Sequence, residues 1–248
     1  MPTDPSPPGS VPGPLAAATT RLGLLRFSAV KLLVALVLLF LVTPFVEDLP
    51  QGDLLEAVLV TVVMAFAVLA IGARRRTLAV ALFLVTPALA AKWANHVCPN
   101  FVPPEIFLAV GAVFFLFVTA RLLLYILRAP RVDANVLCAG ISGYLMLGLL
   151  WTPAYLLVAR VSPGAFALTV GPKAGHALDG FSASYFSFIT LATVGYGDIV
   201  PISRVARMLA MLEAIVGLFY MAVLISRLVS VYSTSLPPAG ESRPPPPI

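Results

Sequence analysis

The most distinctive chemistry in the sequence lies in six consecutive residues, 193–198, which read Thr-Val-Gly-Tyr-Gly-Asp. In a loop of this kind, stacked rings of backbone carbonyl oxygens, together with the Thr193 hydroxyl, can replace the water shell of a cation. The carbonyls all point to one axis only if the backbone angles alternate in sign. Gly195 and Gly197 permit this alternation because a glycine adopts positive φ with little strain.

The remaining side chains of this hexapeptide have separate expected tasks. Val194 and Tyr196 face away from the carbonyl axis, so we expect them to pack against the preceding helix. Asp198 ends the motif, where its negative charge would attract cations to the outer mouth. The expected cation ligands are the carbonyls of Thr193, Val194, Gly195 and Tyr196.

A short apolar segment, residues 181–192, directly precedes the motif. It is too short to cross a bilayer, which takes about 20 residues. It therefore predicts a half-helix that enters the membrane and stops. Asp179 is placed to cap the N-terminus of this helix, and the negative C-terminal end would favour a cation nearby.

The composition excludes a soluble globular protein. Of the 248 residues, 60% are hydrophobic and only 11% are charged, with a mean hydropathy of +0.99. A soluble domain is about half apolar and about a quarter charged. The net charge of +5 does not indicate nucleic-acid binding, because the basic residues cluster between apolar runs, a pattern typical of membrane topology. No soluble partner is identifiable.

The cysteines and histidines predict no metal or cofactor site. Cys98 falls in a loop and Cys138 inside an apolar run, so neither a disulfide between them nor a paired metal motif is expected. His96 and His176 are isolated from each other and from the cysteines. All four are expected to be ordinary residues of their segments.

Six apolar runs predict six transmembrane helices. The fold class is an all-α membrane protein, with a re-entrant pore helix and filter loop between the fifth and sixth crossings. Arginines cluster beside the first run, between the second and third, and between the fourth and fifth, which places these segments and both termini in the cytoplasm. We expect a multi-pass protein of the cell membrane. The runs are residues 27–46, 54–73, 77–95, 105–127, 136–158 and 205–232.

The chain divides into four regions. Residues 1–20 contain almost no large apolar side chain and are predicted to be disordered. Residues 21–131 are predicted to form a four-helix transmembrane region. Residues 132–235 contain the outer helix, the pore helix, the filter and the inner helix. Residues 236–248 include four consecutive prolines and are predicted to be an extended, disordered tail.

From about residue 135 to 232, the sequence resembles the pore module of tetrameric potassium channels. Residues 185–198, YFSFITLATVGYGD, are especially similar to the pores of two-pore-domain and small prokaryotic potassium channels. Residues 217–232, GLFYMAVLISRLVSVY, resemble the inner helix of bacterial members. The resemblance implies a homotetrameric, potassium-selective channel and not an enzyme, with potassium as the permeant ion held at residues 193–196.

The resemblance also implies roles outside the filter. Gly217 falls where many such channels have a hinge glycine, although close helix packing explains it equally well. Some simple bacterial channels have a glutamate behind the filter where this chain has Ile189. The chain therefore lacks that carboxyl pair, and Tyr185 could hydrogen-bond Asp198 instead. Glu213 lies inside the last crossing, where an ionisable group is a functional candidate. It either has a function, by bonding to the end of the pore helix or by tuning the pore cavity, or is satisfied by a polar neighbour without further function.

A voltage-gated channel would need a ladder of arginines in its fourth crossing. Residues 105–127 contain a single basic residue, Arg121, near the inner end. We predict that the Arg121 side chain reaches the membrane–water interface and anchors the helix there. The alternative is a weak voltage dependence that arises in the filter itself. The gating stimulus cannot be inferred from the sequence.

Three other classes of membrane protein remain as alternatives. A transporter would show broken helices in two similar halves, but only one half here has a re-entrant segment. A membrane enzyme would need clustered catalytic groups within its crossings, where Glu213 stands almost alone. The third class is a non-conducting sensor that kept a pore. A measurement of potassium flux through the reconstituted protein distinguishes it from a channel.

Overall fold

The computed structural model of the chain describes residues 14–46, 52–71, 75–97, 103–129, 133–170, 175 and 177–234. Within these ranges the chain is almost entirely helical, with seven helices and two short strands. The helices are α1 (Pro14–Val46), α2 (Gly52–Ile71), α3 (Arg75–Val97), α4 (Pro104–Arg128), α5 (Ala134–Val161), α6 (Gly180–Leu191) and α7 (Arg204–Thr234). The strands are β1 (Phe166–Leu168) and β2 (Ile199–Pro201).

Each of the six apolar runs coincides with one long helix, and the short segment before the motif forms α6. Among the described residues, α1 and α2 have apolar stretches of fewer than 18 residues, Ala29–Phe45 and Leu54–Ala70, so a crossing by these two helices stays a prediction. Four helical segments are long and apolar enough to cross a membrane: Arg76–Ala94, Pro104–Arg128, Ala134–Val161 and Arg204–Ser230.

Two features differ from the sequence analysis. Helix α1 begins at Pro14, so residues 14–20 are helical, whereas the sequence predicted disorder. Proline is tolerated in the first turn, and the alanines that follow favour a helix. The fold is also not purely α-helical, since β1 and β2 pair antiparallel with Phe166 opposite Pro201 and Leu168 opposite Ile199. Extended segments need such pairing to satisfy their backbone hydrogen bonds.

Some of the sequence predictions concern residues outside the described ranges. They include residues 1–13 of the predicted disordered N-terminus and the whole predicted C-terminal tail, residues 236–248, as well as Cys98 and His176. Only the backbone of His96 is described, as part of α3.

The apolar core has a larger and a smaller part. The larger part consists of buried side chains from α1 to α5, joined by Leu191 of α6 and by Tyr220 and Leu224 of α7. In the smaller part, the rings of Tyr155, Phe166 and Phe186 meet edge to face at centroid distances of 4.9–5.6 Å. Such pairs each contribute about 0.5–1.5 kcal/mol beyond burial. This aromatic cluster fixes β1 and α6 to the outer helix α5.

Glycines on α5 allow α6 and α7 to approach it closely. A Cβ on Gly143 would collide with the Tyr220 side chain, and one on Gly148 would collide with Phe188. Small residues at a helix interface permit this approach. The Tyr220 hydroxyl also donates a hydrogen bond to the Gly140 carbonyl, at 2.8 Å. α5 therefore serves as the scaffold against which both α6 and α7 are positioned.

Candidate functional site

The hexapeptide forms an exposed loop that leaves the C-terminal end of α6. Within it, φ is positive at Thr193 (57°), Gly195 (57°) and Gly197 (81°), and not at Val194 or Tyr196. This is the alternation expected for carbonyls that share one axis. Thr193 adopts the left-handed region without being a glycine, which costs roughly 1–2 kcal/mol. Contacts around the loop must compensate for that strain.

The start of the loop is held by the end of α6. The N–H of Thr193 donates to the Thr190 carbonyl at 2.9 Å, and the N–H of Val194 donates to the Ile189 carbonyl at 2.9 Å. These bonds satisfy two carbonyls that a helix C-terminus would otherwise leave without partners. Ile189 therefore supports the loop through its backbone, and its side chain is only partly buried.

The end of the loop is held through Asp198. The Tyr185 hydroxyl donates to Asp198 Oδ2 at 2.7 Å, and the Ile199 N–H donates to Oδ1 at 3.0 Å. The hydrogen bond predicted between Tyr185 and Asp198 is thus present. Because Tyr185 belongs to α6, the same short helix holds both ends of the loop.

Thr169 adds a contact that the sequence analysis missed. Its N–H donates to the Asp198 carbonyl at 2.8 Å, and its hydroxyl lies 3.1 Å from the Gly197 carbonyl and 3.0 Å from the Asp198 carbonyl. Thr169 directly follows β1 and reaches the loop because β1 pairs with β2. No sequence motif includes Thr169, so its contact with the loop could be recognised only from the pairing of β1 with β2.

The predicted packing of Val194 and Tyr196 against the pore helix is not found in the single chain. Their side chains are 49% and 71% exposed. The reason is that α5 and β1 already cover the buried face of α6, including Phe186 and Ser187. The side chains of Val194 and Tyr196 lie outside that covered face and stay exposed.

Glu213 lies behind the loop and is completely buried on α7. The Tyr155 hydroxyl of α5 donates to Glu213 Oε2. On the other side, the Ser187 hydroxyl oxygen of α6 lies 2.5 Å from Glu213 Oε1 and 2.8 Å from the Gly148 carbonyl oxygen of α5. The carboxyl group therefore joins α7 to both α5 and α6, and whether it has a further function stays a prediction.

The Ser187 hydroxyl faces two acceptors in this network. The Gly148 carbonyl only accepts hydrogen bonds, and the Ser187 hydroxyl has one proton to donate. Ser187 therefore shares its proton between Glu213 Oε1 and the Gly148 carbonyl oxygen. The Tyr155 hydroxyl, the Ser187 hydroxyl and the Glu213 carboxyl group each have a partner, as buried polar groups require.

Gly217 lies one turn after Glu213, against the end of α6. A Cβ at this position would lie 2.6 Å from the Leu191 carbonyl oxygen and 2.8 Å from a Leu191 methyl carbon. A backbone atom does not move aside easily, so the packing interpretation has a direct structural reason. The hinge interpretation stays a prediction, because α7 is a continuous helix here.

Comparisons with known proteins agree with this part of the chain. A family model described as "Ion channel" matches residues 144–234. A "Two pore potassium channel c" of Oryza sativa subsp. japonica is 35% identical over 68 residues, which cover 27% of this chain and 14% of that protein. No solved structure matches the chain. Together with the apolar helices, these matches indicate a membrane protein with an ion-channel pore region in its C-terminal part.

The contribution of the buried Glu213 hydrogen bonds is testable by substitution. Glu213→Ala should lower the free energy of unfolding by about 1–3 kcal/mol, since both hydroxyls lose a buried partner. We expect Glu213→Gln to cost less, because its amide oxygen still accepts a hydrogen bond from one of the two hydroxyls. Thermal unfolding in detergent measures both variants. The exposed neighbour Leu212, changed to alanine, is the control, and equal losses in the Gln and Ala variants would contradict a contribution of these hydrogen bonds.

Proposed function

We propose that this chain is a subunit of a potassium-selective channel, and that the loops of four copies together form one selectivity filter. The observation that carries the proposal is the alternation of φ along Thr193–Gly197 in a loop held at both ends. An ion gives up its water only where replacement oxygens are already in position. Fixed ends provide that preorganisation, and the Asp198 charge at one end would raise the local cation concentration.

The exposure of the loop supports assembly of several copies. A single strand provides only a part of each carbonyl ring, and the potassium filters known from similar loops are built from four. Val194 and Tyr196 also lack cover within one chain. On α7, large apolar side chains such as Met211, Leu218 and Phe219 are 61–66% exposed. Copies of the same chain and the surrounding lipid would cover these surfaces.

The proposed topology has six crossings, with both termini in the cytoplasm and α6 entering from the outer side. In this arrangement α1 to α4 surround the pore region without acting as a steep voltage sensor. Arg121 is the only basic residue in the predicted fourth crossing, residues 105–127, and its Nε is buried without a hydrogen-bond partner among the described residues. One such charge cannot supply the gating energy of a ladder.

The filter assignment predicts a specific loss in glycine variants. Gly195→Ala and Gly197→Ala should each abolish potassium-selective flux, because a side chain disfavours the positive φ that the alternating carbonyls need. Flux into vesicles containing the purified protein, with potassium or sodium as the only cation, measures the effect. Gly164→Ala is the matched control, since Gly164 has a φ of 80° in the loop before β1, away from the motif. Normal selectivity in Gly197→Ala would refute the assignment.

Assembly is a separate prediction. The protein in mild detergent should have the mass of four chains, since one chain supplies a single strand of the filter. Mass photometry or native mass spectrometry measures the number of copies. A monomer or dimer as the only stable form would overturn the proposal, and an intact tetramer without flux would favour a non-conducting sensor instead.

The last prediction of this proposal concerns voltage. Steep gating takes roughly three to four charges per subunit that cross the field, each worth about 2.3 kcal/mol per 100 mV. We therefore expect a shallow conductance–voltage curve that shifts little in Arg121→Gln. Recordings from planar bilayers compare the two proteins. A steep wild-type curve that flattens in the variant would show that α4 carries gating charge.

A further inference from the structure

A cavity of about 410 Å³ lies between the N-terminal helices and the pore helix. This volume falls in the range of small-molecule sites, about 300–1,000 Å³. Its wall combines the C-terminal end of α1, the N-terminal halves of α2 and α4, the C-terminal half of α5 and the start of α6. In the proposed topology, all of these segments lie in the outer half of the membrane.

The cavity is elongated and has one polar end. Along α2 its wall runs from Gly52 to Met64, which corresponds to about 18 Å at 1.5 Å per residue. Most of the wall is apolar. Near the outer helix ends, Lys92 Nζ donates to Glu56 Oε1 at 2.9 Å, in an ion pair whose side chains are 19% and 45% exposed. The chemistry of the wall is thus that of an amphiphile site, apolar inside and charged at one end.

A glycine on the wall keeps the cavity open. A helical glycine costs about 1 kcal/mol relative to alanine, so such a residue needs a reason. Gly148 and Gly217 have one, because a Cβ at either position would collide with a neighbouring helix. Gly111 is buried on α4 and lines the cavity, yet no atom of the described residues lies within 4 Å of its expected Cβ. The glycine at position 111 therefore does not avoid a collision with a neighbouring helix. Its effect is to leave open space in the cavity.

We propose that this cavity binds one acyl chain of an outer-leaflet phospholipid, with the headgroup at Glu56 and Lys92. Hydrocarbon chains are the apolar ligand that a membrane offers to any lateral cavity at this depth. The Glu56–Lys92 pair presents one charge of each sign, which complements the phosphate and the amine of a zwitterionic headgroup. The inference rests on the proposed membrane topology and does not depend on potassium selectivity.

The position of the cavity gives the lipid a route to the filter. Ser184, Tyr185 and Phe188 of α6 form part of the wall. Tyr185 is also the residue whose hydroxyl holds Asp198 at the mouth of the loop. An acyl chain in the cavity would therefore pack against α6, beside the hydrogen bond between Tyr185 and Asp198. This gives α1 to α4 a task as the outer wall of a lipid site.

A photoreactive lipid tests the proposal. The full chain is reconstituted in vesicles that contain phosphatidylcholine with a diazirine near the end of one acyl chain, and labelled peptides are mapped after illumination. We expect labels on cavity residues such as Met64 and Phe115. Gly111→Phe should lose them, because its ring fills the space. Ala109→Phe, on the exposed face of the same helix, should keep them.

Three results would overturn the lipid site. The first is wild-type labelling restricted to exposed side chains such as Val113 and Leu116. The second is unchanged cavity labelling in a Gly111→Phe protein that elutes and melts like the wild type. The third is cavity labelling by a headgroup-free diazirine alkane that excess phosphatidylcholine does not displace. Labelling requires no ion flux, so a protein that conducts potassium without these labels refutes the lipid site alone.

Discussion

An exposed loop with three residues at positive φ keeps a single conformation only if its neighbours hold both ends. Here the short helix α6 performs both tasks, through the Ile189 carbonyl at the start of the loop and the Tyr185 hydroxyl at its end. Strain at Thr193, roughly 1–2 kcal/mol, is thereby balanced by several hydrogen bonds. Since α6 sets the loop geometry, whatever fixes α6 also fixes the loop.

Two kinds of contact fix α6, and both involve Tyr155 of α5. On the outer side, the rings of Tyr155, Phe166 and Phe186 lock α6 to the strand that leads to Thr169. On the inner side, Ser187 and Glu213 continue the network from the same Tyr155. One tyrosine on α5 thus belongs to both the aromatic cluster and the buried polar chain. Any displacement of α7 that breaks the Glu213 hydrogen bonds changes the support of the loop.

The sequence was sufficient for features that depend on local chemistry. The spacing of Gly195 and Gly197 predicted the alternation of φ, and the apolar runs predicted the six long helices. Asp179 was predicted to cap α6, and its side chain accepts from the Ser182 N–H at 2.8 Å. Features that depend on distant residues were not predictable. Nothing in the sequence pairs β1 with β2, or joins Tyr155 to a carboxyl group 58 positions away. The packing expected for Val194 and Tyr196 is not found in the single chain, where both side chains are exposed.

The four N-terminal helices show the same difference between what the sequence predicts and what the packing adds. Their sequence shows apolar runs, and the fourth run contains a single arginine, Arg121, near its inner end. This pattern predicts only that the helices pack around the pore region or meet lipid. Their packing adds information, because α1 places Phe40 against Phe188 of α6, with ring centroids 4.8 Å apart, while Gly111 leaves space beside them. Phe188 and Tyr185 of α6 both line this cavity, so the proposed acyl chain would contact α6 directly. Regulation by membrane composition through the proposed lipid site would then require no soluble domain and no moving charge.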